Sequence, residues 1–147
     1  LTTDAAIQKA YNAFAQSECP CVIVTHSQGG NFAFNTALAH PDKIKAVVAL
    51  EPSGFPDPEK NDLSRLRGIP HLFVWGDHIA DHALWSRIRS GPEKYRQALA
   101  QAGVKAETLD LPARGIAGNS HMLMMDRNSD EIARLVQQWL AANGLMK

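Results

Sequence analysis

Three runs of consecutive apolar residues constrain this chain more than any other feature. They are Cys21 to Thr25, Ile44 to Leu50 and His71 to Trp75. Each is short enough for a strand, and segments of helical periodicity separate them. A strand that is apolar on both faces must be covered on both faces, which is the condition of a parallel sheet in an α/β domain. Lys105 to Leu111 alternates instead and reads as a fourth strand near an edge. The expected fold is therefore α/β, a parallel four-stranded sheet with helices on both faces.

The intervening segments read as helices and loops. Thr3 and Asp4 can cap a helix with Ile7, Ala10, Tyr11 and Phe14 on its apolar face. Gly29 to Ala39 is a second helix, with Pro41 just beyond its end. Ala83 to Arg89 and Glu93 to Ala102 read as two helices broken at Gly91-Pro92. From Asp130 to Asn143, Ile132, Leu135, Val136, Trp139 and Leu140 recur at helical spacing, and Gly144 stops the helix. Ser53 to Asp62 and Pro112 to Asn128 are loops, and Leu63 to Arg67 makes one short turn.

Composition narrows the function classes. The 147 residues suffice for one domain, and 45% hydrophobic with 20% charged residues is a globular balance. Lys+Arg and Asp+Glu are 15 each, so no net charge points to nucleic acid or an anionic membrane. No apolar run approaches the ~20 residues that span a bilayer, and no signal peptide is visible, since the sequence opens into a helical pattern. Cys19 and Cys21 are too close to hold zinc between them. Two thiols flanking a strand start are the plain expectation, and a disulfide is the alternative.

Thr25-His26-Ser27-Gln28-Gly29-Gly30 follows the first apolar run directly. A strand that ends in a sharp turn into a helix exposes the residue at the turn, and a serine there is a candidate nucleophile. The residues two positions to either side crowd each other, so small side chains are favoured. Gly29 meets that need downstream, while Thr25 stands where a glycine is usual. Ligand sites in parallel sheets lie at the carboxyl ends of the strands. Ser27, Glu51, Asp77 and His121 all follow strand-like runs.

Ser27 in THSQGG, Glu51 in VVALEPSG and His121 in GNSHMLMMDRNS together resemble the α/β-hydrolase esterases, most of all a bacterial and fungal subgroup whose acid is a glutamate after the strand that follows the nucleophile. The resemblance covers essentially the whole chain but only the C-terminal half of such an enzyme. It implies a mostly parallel eight-stranded sheet in which four strands precede the nucleophile strand. Residues 1–147 are then expected to form a partial domain, without the N-terminal strands and the oxyanion loop, and to need that half for solubility and full activity. It also points to a secreted or periplasmic location.

The roles follow from chemistry. A serine hydroxyl needs a base, for which His121 is the candidate, and a carboxylate must orient that imidazole. Glu51 is favoured, and Asp77 or Asp81, after the third strand, is the alternative acid. The backbone N–H of Gln28 supplies one oxyanion donor. The expected activity is hydrolysis of a small carboxylic ester through an acyl-enzyme, with no cofactor, no metal, no nucleic acid and no membrane span. Acyl transfer or lactone hydrolysis on the same residues, and a binding protein that has lost the chemistry, are the competing readings.

Other features carry less. His78 and His82 stand four apart and could share a metal, though a polar loop rim is the simpler reading. His26 reads as a packed neighbour of the nucleophile. Met122, Met124 and Met125 suit either an acyl pocket or the core, as do Trp75 and Trp85.

Overall fold

A computed structural model describes residues 2–146, and the side chains of Ala80 and Asp81 lie outside the description. Asp81 as an alternative acid therefore falls outside the described residues. Four strands, β1 (Cys21–His26), β2 (Ile44–Leu50), β3 (His71–Trp75) and β4 (Ala106–Asp110), pair in parallel in the order β1-β2-β3-β4. The helices are α1 (Thr3–Glu18), α2 (Gly29–Ala39), α3 (His78–Asp81), α4 (Ala83–Gln101) and α5 (Ser129–Ala142). Short 3₁₀ turns occupy Leu63–Leu66 and Pro112–Arg114.

Strand order explains where the helices lie. Each strand adds beside the last in one direction, and right-handed crossovers then put every connection on the same face. That face carries the larger core, in which Phe34 and Ala37 of α2, Leu66, and Tyr95 and Leu99 of α4 pack on Val47, Ala49, Phe73 and Trp75. The alternate residues Val48, Leu50, Leu72 and Val74 face Leu123 and Ile132, so α5 covers the other side. Strand β4 is an edge, as its alternation indicates. Among the described residues β1 also has a partner on one side only.

Four local expectations are corrected. Thr2, not Thr3 or Asp4, caps α1, its Oγ1 accepting from the Ala5 N–H. Phe14 points outward and is 64% exposed. Gln8 and Asn12 take the inward face instead, because Gln8 donates to Thr36 Oγ1 and the Phe32 carbonyl of α2 while Thr36 donates to Asn12. Cys19 and Cys21 form a disulfide across the entry to β1. Residues 83–101 form one helix, not two. Pro92 forfeits one backbone bond there, but Pro92, Tyr95 and Leu99 are all buried on the core face, and that packing carries the helix through.

Gly91 shows why the segment looked broken. A Cβ at this position would lie 2.4 Å from Phe55 Cε1, so the loop after β2 presses on the helix backbone. Phe55 is itself stacked on Tyr95 at 6.1 Å. In an open helix Gly→Ala adds about 1 kcal/mol of stability. Here Gly91→Ala should destabilise by about 1–3 kcal/mol through overpacking. Urea unfolding of Gly91→Ala, Phe55→Ala and the double variant checks this: Gly91→Ala should become neutral or stabilising once Phe55 is removed.

Candidate active site

Ser27 sits at the end of β1 with φ 52°, a left-handed backbone that is uncommon outside glycine. Neighbouring chain holds it there. Its N–H donates to the Leu50 carbonyl at 3.0 Å, and its own carbonyl accepts from Gly30 at 3.0 Å and Ser53 at 3.1 Å. The turn is thus tied to the end of β2 from both sides. A Cβ on Gly29 would come within 2.5 Å of Thr25 Oγ1, and one on Gly30 within 2.6 Å of Pro52 Cβ. Thr25 is tolerated upstream because Gly29 leaves room for its hydroxyl. α2 starts at the turn, next to Ser27, and the N–H groups of Gly30 and Asn31 donate to the Ser27 and Gln28 carbonyls.

Glu51 is the second non-glycine residue at positive φ, 43°, and it too ends a strand. Parallel pairing sets β1 and β2 side by side with His26 opposite Leu50, which brings the two turns together. The Glu51 side chain is completely buried. Its Oε1 accepts the Gly76 N–H at 2.9 Å, and Oε2 lies 2.6 Å from His121 Nδ1. Gly76 permits this approach, since a Cβ there would stand 3.0 Å from Oε1 and 2.9 Å from Leu123 Cδ2. The far nitrogen of His121, Nε2, lies 3.0 Å from Ser27 Oγ. Serine, histidine and glutamate therefore form one unbroken chain of hydrogen bonds.

Asp77 does not join it. Its two oxygens accept the N–H groups of Gly118 and Asn119, each at 2.8 Å. Asp126 accepts from the N–H and Oγ of Ser120, both at 2.8 Å. Burial pushes both carboxyls up, but these hydrogen bonds outweigh it and hold both below the usual range, the Ser120 hydroxyl acting most strongly on Asp126. Two carboxylates thus moor the three residues before His121. The Asp77 contact has no local sequence mark, because it joins the end of β3 to a loop about 40 residues away.

Burial pushes the Glu51 carboxyl up to about 7, against the opposing pull of the Gly76 N–H. His121 is lowered, chiefly by burial and also by nearby His78. Both changes disfavour charge in the pocket.

The remaining candidates separate. Trp75 is core, fully buried, with the Arg89 guanidinium 5.1 Å from its ring. Met122, Met124 and Met125 are all exposed, while Leu123 between them is buried. The rings of His78 and His82 stand 6.0 Å apart, and no group of three metal-ligating side chains occurs among the described residues. Among those residues, too, no helix is long and apolar enough to cross a membrane.

The comparisons follow the same lines. A profile of the alpha/beta hydrolase fold matches residues 20–77, the stretch from the entry of β1 to Asp77. The structure of a bacterial esterase superposes with a TM-score of 0.87 at 36% identity, covering 97% of this chain and 44% of that one. A probable secreted lipase, phiG, of a fungus (Fungal sp. strain ATCC 74256) is 29% identical over 186 residues, covering 90% of this chain and 49% of the lipase. The monoacylglycerol lipase of Paleococcus ferrophilus shares the fold alone, with a TM-score of 0.64 at 17% identity, covering 97% of this chain and 76% of its own. The chain spans about half the length of the fungal lipase and of the bacterial esterase. With its parallel sheet, its serine at a strained strand-to-helix turn and these likenesses, the chain has the fold of the α/β-hydrolases.

Proposed function

We propose that this chain carries the reacting residues of a carboxylic ester hydrolase. The observation that supports it most is the hydrogen-bonded chain from Glu51 through His121 to Ser27. His121 Nε2 takes the hydroxyl proton as Ser27 Oγ attacks the ester carbonyl carbon. The carbonyl oxygen gains the negative charge and receives the Gln28 N–H at the positive end of α2. The imidazolium then gives its proton to the departing alkoxide, leaving an acyl-serine and a free alcohol. Water, deprotonated by the same nitrogen, attacks the acyl carbon and releases the acid.

One amide is a poor oxyanion site, and losing a donor costs roughly 10²–10³ in turnover. The second donor belongs to an element seated along the free edge of β1. The groove beside that edge, lined by Tyr11, Phe14, Ile23 and Val24, is apolar as such a seat requires.

The direct test is covalent. A fluorophosphonate probe should label Ser27, read by peptide mass spectrometry, and Ser27→Ala should abolish the labelling. Unchanged labelling of that variant would remove Ser27 from the reaction.

The pH dependence follows from the Glu51–His121 pair. The working form has ionised Glu51, a hydrogen on Nδ1 and a bare Nε2. Adding one proton destroys it wherever the proton rests. Protonated Glu51 donates to Nδ1 and forces the hydrogen to Nε2, while ionised Glu51 faces an imidazolium with both nitrogens protonated. Glu51 is raised, so this proton is taken up as pH falls through about 7. kcat/KM should therefore rise with pH through about 7 and level above it. Glu51→Gln should lower the plateau by about 10⁴-fold and move the rising limb to lower pH, because only the lowered His121 then titrates.

Asp77 separates mooring from orientation. Asp77→Asn leaves at most one good acceptor for the Gly118 and Asn119 amides. It should lower kcat/KM about 10-fold, consistent with a loosened loop, while the pH midpoint stays at the wild-type value. A loss as deep as that of Glu51→Gln, with a displaced midpoint, would make Asp77 the acid.

A further inference from the structure

His121 is held at more than its two nitrogens. The ring of Trp85, near the start of α4, lies with its centroid 4.0 Å from the imidazole centroid and its plane tilted by 34°. The ring of His26 lies 4.5 Å away with a 45° tilt. His26 also reaches the main chain, its Nε2 lying 2.7 Å from the His121 carbonyl oxygen. A carbonyl only accepts, so His26 donates from Nε2.

Trp85 is placed by its helix. It stands one heptad before Pro92, in line with Tyr95 and Leu99 on the core-facing side of α4, and it packs on the edge of the larger core. Two contacts fix this end of the helix: Ser86 Oγ donates to the Ile79 carbonyl at 2.8 Å, and Arg89 pairs with Asp110 at 2.7 Å. The indole is thus a built part of the site rather than a loose rim residue.

We propose that Trp85 is a positioning residue for the reaction, its indole face stabilising the imidazolium that His121 becomes when Ser27 gives up its proton. The inference rests on the hydrolase reading above. An indole face attracts a cation through its quadrupole over and above the ordinary aromatic contact it makes with a neutral imidazole. The contact is therefore stronger in the transition state than in the ground state, which is the condition for raising turnover rather than binding. It matters in this pocket because the surroundings oppose the charge: His121 is lowered by burial and by His78, and a second imidazole, His26, lies against it. Glu51 is the only anion in direct contact with the ring among the described residues.

The test combines kinetics with fluorescence. Against a p-nitrophenyl ester, Trp85→Leu should lower kcat about 3- to 30-fold, the range of a partly desolvated cation–π contact, with KM within about two-fold of wild type. Trp85→Phe, which keeps an aromatic face, should recover most of the loss. Imidazolium quenches a stacked indole, so wild-type tryptophan emission should fall as pH drops far enough for His121 itself to become charged, which burial and His78 delay to below the ordinary imidazole range. That fall should vanish in Trp85→Phe and in His121→Gln and persist in Ser27→Ala. A raised KM with unchanged kcat would make Trp85 a substrate wall and overturn the proposal, as would a pH-dependent quench that survives Trp85→Phe. In the protein completed by the element that supplies the second oxyanion donor, neither turnover of the ester nor labelling at Ser27, with the quench present, would overturn the hydrolase reading while leaving the contact in place.

Discussion

Everything at this site depends on one buried hydrogen bond, that between Glu51 Oε2 and His121 Nδ1 at 2.6 Å. A carboxylate with no exposed surface is unfavourable unless its oxygens are satisfied. Two partners meet that demand, the Gly76 amide and the imidazole. Gly76 lacks a side chain so that the carboxylate can reach its amide, and the mooring of residues 118–120 brings the imidazole to the other oxygen. The sheet supplies the remaining constraint. Parallel β1, β2 and β3 end at the same level, so Ser27, Glu51 and Gly76 meet without any long loop having to find its place.

Backbone strain is concentrated at this junction. The two non-glycine residues at positive φ among those described are Ser27 and Glu51, the two that flank His121. Each such residue costs about 1–3 kcal/mol and persists only where its surroundings over-determine it. Here the surroundings are shared. Ser27 bonds to Leu50 and Ser53 on either side of Glu51, and Glu51 bonds to Val74. The two turns brace each other, and the pleat of the sheet behind them carries the load.

Much of this was legible from residue order. Continuous apolar runs at Cys21, Ile44 and His71 mark strands because a sheet covered on both faces admits few polar residues. Strand ends pick out Ser27, Glu51 and Asp77 alike, whereas His121, in the loop beyond β4, comes from the resemblance. What escaped reading depends on contacts between distant segments. Pro92 reads as a helix breaker, yet burial against the core outweighs one lost backbone bond. Phe14 reads as core, yet Gln8 and Asn12 find partners on α2 and turn it outward. Asp77 reads as a candidate acid because it follows a strand, but its oxygens are taken by amides about 40 residues away. Trp85 gives no sign in the sequence of the ring it lies against.

The left-handed backbone at Glu51 has a consequence for which acids this corner can host. Aspartate accepts that conformation more readily than glutamate, so local comfort alone would select the shorter residue. Its carboxylate, however, would stop about 1.5 Å, one carbon–carbon bond, nearer the main chain, short of the imidazole and the Gly76 amide together. Reach, not charge or ease of folding, makes this residue a glutamate. Exchanging the two acids between lineages would then demand a compensating shift of the entire histidine-bearing loop, so single-step drift at this corner is blocked even though both side chains carry the same chemistry.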